Sequence, residues 1–223
     1  MNELLDRLFR RKSSDIPVQR PDINVITIGQ QYDSGKMESW LSAECAANPF
    51  QGDLKQAANL MSIFFDGMAR VVEKKIEEFP RTQISQYKLR LVDDESVRSV
   101  EHDPNLSKIL VKRLFLEQAS TLSGVVTLET QRGEPVYCGT PQDIFFLIGI
   151  EEGLHVFDYA RRPRVFILIG DMSLARYDSQ PHEFNALKEM ILIAKEKNFP
   201  EGTIQVLINR WQNVIELQKA QQE

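Results

Sequence analysis

Only two cysteines occur in 223 residues, Cys45 and Cys138, far apart and without neighbouring ligand-type spacings. A disulfide framework and a cysteine-based zinc site are therefore excluded. No apolar run approaches the roughly 18–20 residues that cross a bilayer, so no membrane span is expected. The N-terminus lacks the apolar core of a secretory signal. Positive charge is not in excess either: the net charge is −5 with 26% charged residues. No nucleic-acid partner is expected, because that would need a basic footprint. These absences point to a cytoplasmic protein.

What is present is enough apolar material, 42% of residues, to bury a full core in one domain. The expected organisation is an N-terminal helix and linker over 1–22, then a single domain over 23–223. "MNELLDRLFRRK" places Leu4, Leu5, Leu8 and Phe9 on one helical face, which suits docking on a protein partner, lying on a membrane surface, or packing on its own domain. "SSDIPVQRPD" reads as the linker.

"INVITIG" (23–29) is β-branched and bounded by Pro21 and Gly29, which predicts a strand. A long helix is expected from a cap at Asp53 to about Phe79, stopped by Pro80. "SQYKLRLVDD" alternates as a half-buried strand does. Asp103 and Pro104 look like a cap and first turn, predicting a second helix through "DPNLSKILVKRLFLEQASTLSG". "GVVTLETQRGEPVYCG" reads as a hairpin turning at Gln131–Arg132–Gly133. Thr140, Pro141 and Asp143 form the start signal of the next helix, with a capping box. A further helix is expected after Ser179 or Asp178 as cap, with Pro181 in its first turn. "EGTIQVLINRWQNVIELQKAQQE" predicts a terminal amphipathic helix lined by Ile204, Leu207, Ile208, Trp211, Ile215 and Leu217. The fold class is α+β.

The chemistry concentrates in "FFLIGIEEGLHVFDYARRP" (145–163). On a helix, Glu151, His155 and Asp158 fall within about 60° of one another, and Glu152 lies on the flank. Buried carboxylates cost several kcal/mol unless paired, protonated or metal-bound. A site accounts for them. So would pairing with Arg161, Arg162 and Arg164, or exposure of the stripe to water.

In an H-E-x-x-H helix two histidines one turn apart bind one ion, and the intervening glutamate is the general base for a metal-bound water. Here the segment reads E-E-G-L-H. Glu152 stands at the base position, His155 at the second ligand and Glu151 at the first. Asp158 is placed to orient the ring. Downstream, Tyr177, Pro181, Glu183 and Ala186 form a Y-x-x-x-P-x-E-x-x-A frame.

Together, the "EEGLHVFDY" helix and the P-x-E-x-x-A helix start resemble the zincin-like metallopeptidase fold. The resemblance implies a zincin-like core of backing helix, small sheet with hairpin, motif helix and third-ligand helix, from about residue 54 to 197, with N- and C-terminal helical appendages. It implies Glu183 as third metal ligand, and hydrolysis of an amide, with Tyr177 as the donor that steadies the oxyanion. A glutamate replaces the first histidine, so Glu151, His155 and Glu183 make an oxygen-rich set. Such a set suits zinc less and a harder divalent ion, manganese or iron, more. Metal binding is then weakened or absent, and the helix becomes a relic holding the fold.

Two rivals stand beside this reading. A di-iron carboxylate bundle needs two E-x-x-H pairs, but of the three histidines only His155 has a glutamate, Glu152, three residues before it. A binding or scaffold protein without chemistry fits the missing histidine and the appended helices. "GQQYDSGK" (29–36) has the wrong spacing for a phosphate loop, and no G-x-S-x-G elbow is present.

Overall fold

The computed structural model describes residues 25–84, 86–94, 97, 99–103, 107–161 and 173–221. The N-terminal helix and linker over 1–22 lie outside them. The fold is α+β. Strand β1 is Val25–Thr27, followed by helices α1 (Ser34–Glu44) and α2 (Leu54–Glu78). Strands β2 (Gln86–Val92), β3 (Val100–Asp103) and β4 (Lys108–Lys112) complete a sheet in the order β1-β2-β4-β3. Strands β2 and β4 run parallel, and the edge strands β1 and β3 run antiparallel to their neighbours. Helix α3 (Arg113–Thr121) leads to the hairpin β5 (Val126–Glu129) and β6 (Pro135–Gly139). Four helices close the chain: α4 (Pro141–Arg161), α5 (Leu174–Asp178), α6 (Pro181–Glu196) and α7 (Glu201–Ala220).

Local chemistry explains most of these boundaries. Asp53 caps α2 by accepting from Gln56 N at 2.9 Å, and the helix stops at the residues before Pro80. At the start of α4, Asp143 Oδ2 accepts from Thr140 N at 3.0 Å while Thr140 Oγ1 accepts from Asp143 N at 3.2 Å. This reciprocal pair is a capping box.

Three sequence expectations are corrected. The helix expected from Asp103 is first a strand: Asp103 ends β3, and "KILVK" is β4, with Ile109 and Val111 fully buried. Its alternating β-branched side chains pair on both sides, with β2 and with β3. Those pairings outweigh the cap-like Asp-Pro signal, and helix begins only at Arg113. Secondly, the segment after Gly29, where no element was expected, contains α1, capped by Asp33 and burying Met37, Trp40 and Leu41 at helical spacing. Thirdly, α6 is capped by neither Asp178 nor Ser179. Gln180 stands at its cap without a side-chain bond, and Asp178 closes the short α5.

Helix α4 is the centre of the molecule, with 15 buried residues from Pro141 to Phe157. It packs most closely on α2. A Cβ on Gly149 would collide with Phe64 O, and one on Gly67 with Phe146 O. Glycine at these positions lets the two backbones touch. At Gly153 a Cβ would lie 2.7 Å from Val71 Cγ1. On the other side α4 meets α6, β3 and β6, and there its polar residues lie.

Candidate functional site

The polar stripe of α4 is buried: Glu151 is 9% exposed, Glu152 7% and His155 7%. The solvent-facing alternative is therefore overturned. The arginine alternative fails for Arg161, which is exposed and lies over the Phe79 ring at 3.6 Å. Arg162 and Arg164 lie outside the described residues.

Each of the three buried polar side chains reaches a different element. Glu151 accepts a hydrogen bond from the Tyr137 hydroxyl of β6. Glu152 accepts from the backbone N–H of His102 in the edge strand β3, at 2.8 Å. His155 Nε2 lies 3.2 Å from Glu183 Oε2 on α6, while its Nδ1 lies 3.7 Å from Glu152 Oε2. One turn of α4 thus ties together hairpin, sheet and α6. Asp158 follows one turn later and is half-buried.

Glu183 is only 3% exposed. Its second oxygen faces His182 Nε2 at 3.3 Å, and Tyr177 acts electrostatically on the same carboxylate. The His182 ring meets the His155 ring edge-on, with centroids 5.6 Å apart. Behind Tyr137 lies Arg210 of α7, 5.5 Å from the ring centroid. Arg210 donates to both Asp178 oxygens at 2.7 and 3.0 Å and to Val136 O at 3.0 Å.

The electrostatics follow from burial and proximity. Burial alone would lower the His155 ring, but Glu183 and Glu152 override it and hold it well above its ordinary value. These two carboxylates favour the imidazolium form, in which Nε2 donates to Glu183. Burial alone would raise Glu183, yet the His155 charge, with hydrogen bonds from His155, His182 and Tyr177, holds it well below the carboxylate range. Glu151 goes the other way. Burial, then the Glu183 charge, push it up to about 7 against the pull of Arg210 and His155. Burial, with the His155 charge second, lowers His102 to about 3, so that ring is neutral.

Of the residues expected to form the site, Glu151, Glu152, His155, Glu183 and Tyr177 belong to this one cluster. Tyr137, His182, Arg210 and Asp178 were not anticipated. One signal for Arg210 was legible, since it occupies the stripe Thr203, Leu207, Arg210, Val214 that α7 buries. His182 adjoins Glu183 in sequence. Tyr137 had only the alternation of its strand.

The fit to a metal can be judged from these donors. Each carboxylate is already met by a protein group: Tyr137 on Glu151, the His102 N–H on Glu152, and His155 and His182 on Glu183. Among the described residues no group of three or more His, Cys, Asp or Glu side chains is arranged to hold a metal ion. As placed, Glu151, His155 and Glu183 do not fit a three-ligand centre.

No protein-family model, curated protein or solved structure matches this chain. No described helix is long and apolar enough to cross a membrane.

Proposed function

We propose that this chain is a zincin-like protein whose metal-dependent amide hydrolysis has been lost, and that it acts in the cytoplasm as a non-catalytic binding or scaffold protein. The element order supports the zincin-like part. Backing helix α2, a sheet with hairpin, the E-E-x-x-H helix α4 and the Glu183 helix α6 follow one another as that core requires. The loss of hydrolysis rests on one observation: His155 Nε2 is 3.2 Å from Glu183 Oε2 while His182 faces the other oxygen. Two of the three expected ligands neutralise each other, and at the base position Glu152 serves to hold the edge strand. The N-terminal amphipathic segment is then the natural docking element for a protein partner.

A second reading, a divalent-metal-dependent amide hydrolase, is favoured by the same spacing. Two donors on one tetrahedral zinc ion stand about 3.4 Å apart, close to the 3.2 Å between His155 and Glu183. Under that reading Glu151 would complete the ligand set, Glu152 would handle the proton of the attacking water, and Tyr177 would steady the oxyanion.

Zinc titration by calorimetry, with a peptide-hydrolysis assay, on chelator-treated wild-type protein and Glu151→His separates the readings. Our reading expects no saturable uptake and no turnover by the wild type, and saturable uptake by the variant. One tightly bound equivalent with turnover in the wild type would establish the hydrolase instead. No gain in Glu151→His would remove the support for a zincin-like ligand layout.

A further inference from the structure

A cavity of about 500 Å³ lies between the turn of the β5–β6 hairpin, α5 and α7. None of Glu151, His155 and Glu183 lines it. Its α7 wall is ordered along the helix. At about 100° per residue, Val206, Asn209 and Asn213 fall within about 60° of one another, with Arg210 on one flank and Glu216 on the other. We infer that this cavity binds an extended, basic segment of a partner protein, gripped through its main chain. Only Arg210 and Asp178 belong to both this surface and the α4 cluster, and neither carries the zincin-like reading.

Three kinds of group specify that ligand. The first is a buried donor. Arg210 lines the cavity and is 3% exposed. Its bonds to Asp178 and to Val136 O use three of its five N–H groups. The other two suit a neutral acceptor such as a peptide carbonyl, because Asp178 already balances the guanidinium charge. The second is the amide stripe. Asn209 accepts from Gln205 Nε2 at 2.8 Å, which leaves its NH2 group to donate, and Asn213 offers both a donor and an acceptor. The third is charge. Glu134 from the hairpin and Glu216 from α7 line the cavity, and neither has a cationic partner among the described residues. Glu134 Oε2 accepts from Leu174 N at 3.2 Å, which fixes that carboxylate where the hairpin meets α5.

Spacing favours a peptide over a small cation. Asn209 and Asn213 stand about 6 Å apart along the α7 axis. An extended chain turns the same main-chain edge to one side every second residue, about 6.7 Å apart. The two amides can therefore meet successive peptide groups of one strand. The basic side chains of that strand lay their aliphatic stems on Val206 and Leu174 and carry their charge to Glu134 and Glu216. A diamine would satisfy the two glutamates but leave both amides and the spare Arg210 donors without a role.

The test is nitrogen–proton NMR titration of the uniformly labelled full-length protein, following the side-chain amide signals of Asn209 and Asn213. Three probes are compared: acetyl-Lys-Ala-Lys-amide, acetyl-Glu-Ala-Glu-amide and putrescine. The basic peptide should shift both signals saturably, and the acidic peptide and putrescine should bind more weakly. The variants Asn209→Ala/Asn213→Ala and Glu216→Lys change only exposed positions of α7, and near-ultraviolet circular dichroism verifies their fold. Asn209→Ala/Asn213→Ala should lower the affinity for the basic peptide about tenfold, read from backbone signals of α7. Glu216→Lys should remove the preference for the basic over the acidic peptide. No saturable shift with the basic peptide would overturn the inference, as would affinities unchanged in both variants. Putrescine bound as tightly as the peptide would overturn it as well, since charge alone would then account for binding.

Discussion

His155 Nε2 lies 3.2 Å from Glu183 Oε2 although the two residues are 28 positions apart. They join the central helix α4 to α6, and both are nearly inaccessible, at 7% and 3%. A buried pair of this kind adds little net stability, but removing one partner strands the other charge, at a cost of about 3–5 kcal/mol. His155→Ala should therefore lower the unfolding free energy in urea by that amount. The double variant His155→Ala/Glu183→Gln should recover part of it, because the stranded carboxylate is gone. A single variant as stable as wild type would mean that the pair is not formed.

The pH dependence has a defined sign. Glu151 is raised from 4.5 to about 7 by burial and by Glu183, so the folded state holds its proton more tightly than the unfolded chain. Its contribution is fully present below about pH 4.5 and is lost as pH rises through about 7, a range worth roughly 3 kcal/mol. His155, also raised, acts in the same direction above about pH 6.5. Glu183 is lowered, so its contribution is present above about pH 4.5 and lost as the medium is acidified further. Stability should peak near about pH 5 and decline toward neutrality. Glu151→Gln should flatten the decline between about pH 5 and 7. Stability that rises across that interval in the wild type would refute this assignment.

Helix contact makes a different prediction. Gly149 lies against Phe64 O and Gly67 against Phe146 O, so the collision is with backbone that cannot step aside. Gly149→Ala should lower stability by about 3 kcal/mol or more. Gly202, in the first turn of α7, has nothing within 4 Å of an added Cβ. Gly202→Ala should be neutral or up to about 1 kcal/mol stabilising. Thermal melts of the two variants read the contrast directly, and similar effects from both would contradict the close α2–α4 packing.

Where the determinants were local, the sequence was legible. Asp53, and Thr140 with Asp143, are caps written in consecutive residues, and both helices start where those residues say. Glu183 was legible as well, through its frame, and it comes to His155. The rest depended on tertiary partners. Ile109 and Val111 became strand because β2 and β3 flank them, which the Asp103–Pro104 signal could not reveal. Tyr137 and Arg210 sit in ordinary alternating or amphipathic patterns. Their roles arise only when β6 and α7 are set against α4. Glu152 shows the same limit: its motif position gave no sign that it accepts from the His102 N–H of the edge strand.

Closure of the E-E-x-x-H helix by a charged His155 can be read at the ring itself. With three histidines in the chain, long-range nitrogen–proton NMR on the uniformly labelled full-length protein can resolve each ring. At about pH 7.5 both His155 nitrogens should carry protons and be unmoved by added zinc, while His102 should stay neutral down to about pH 4. A neutral His155 at about pH 7.5 that titrates below about 6.5, with an Nε2 signal that shifts on zinc addition, would contradict it.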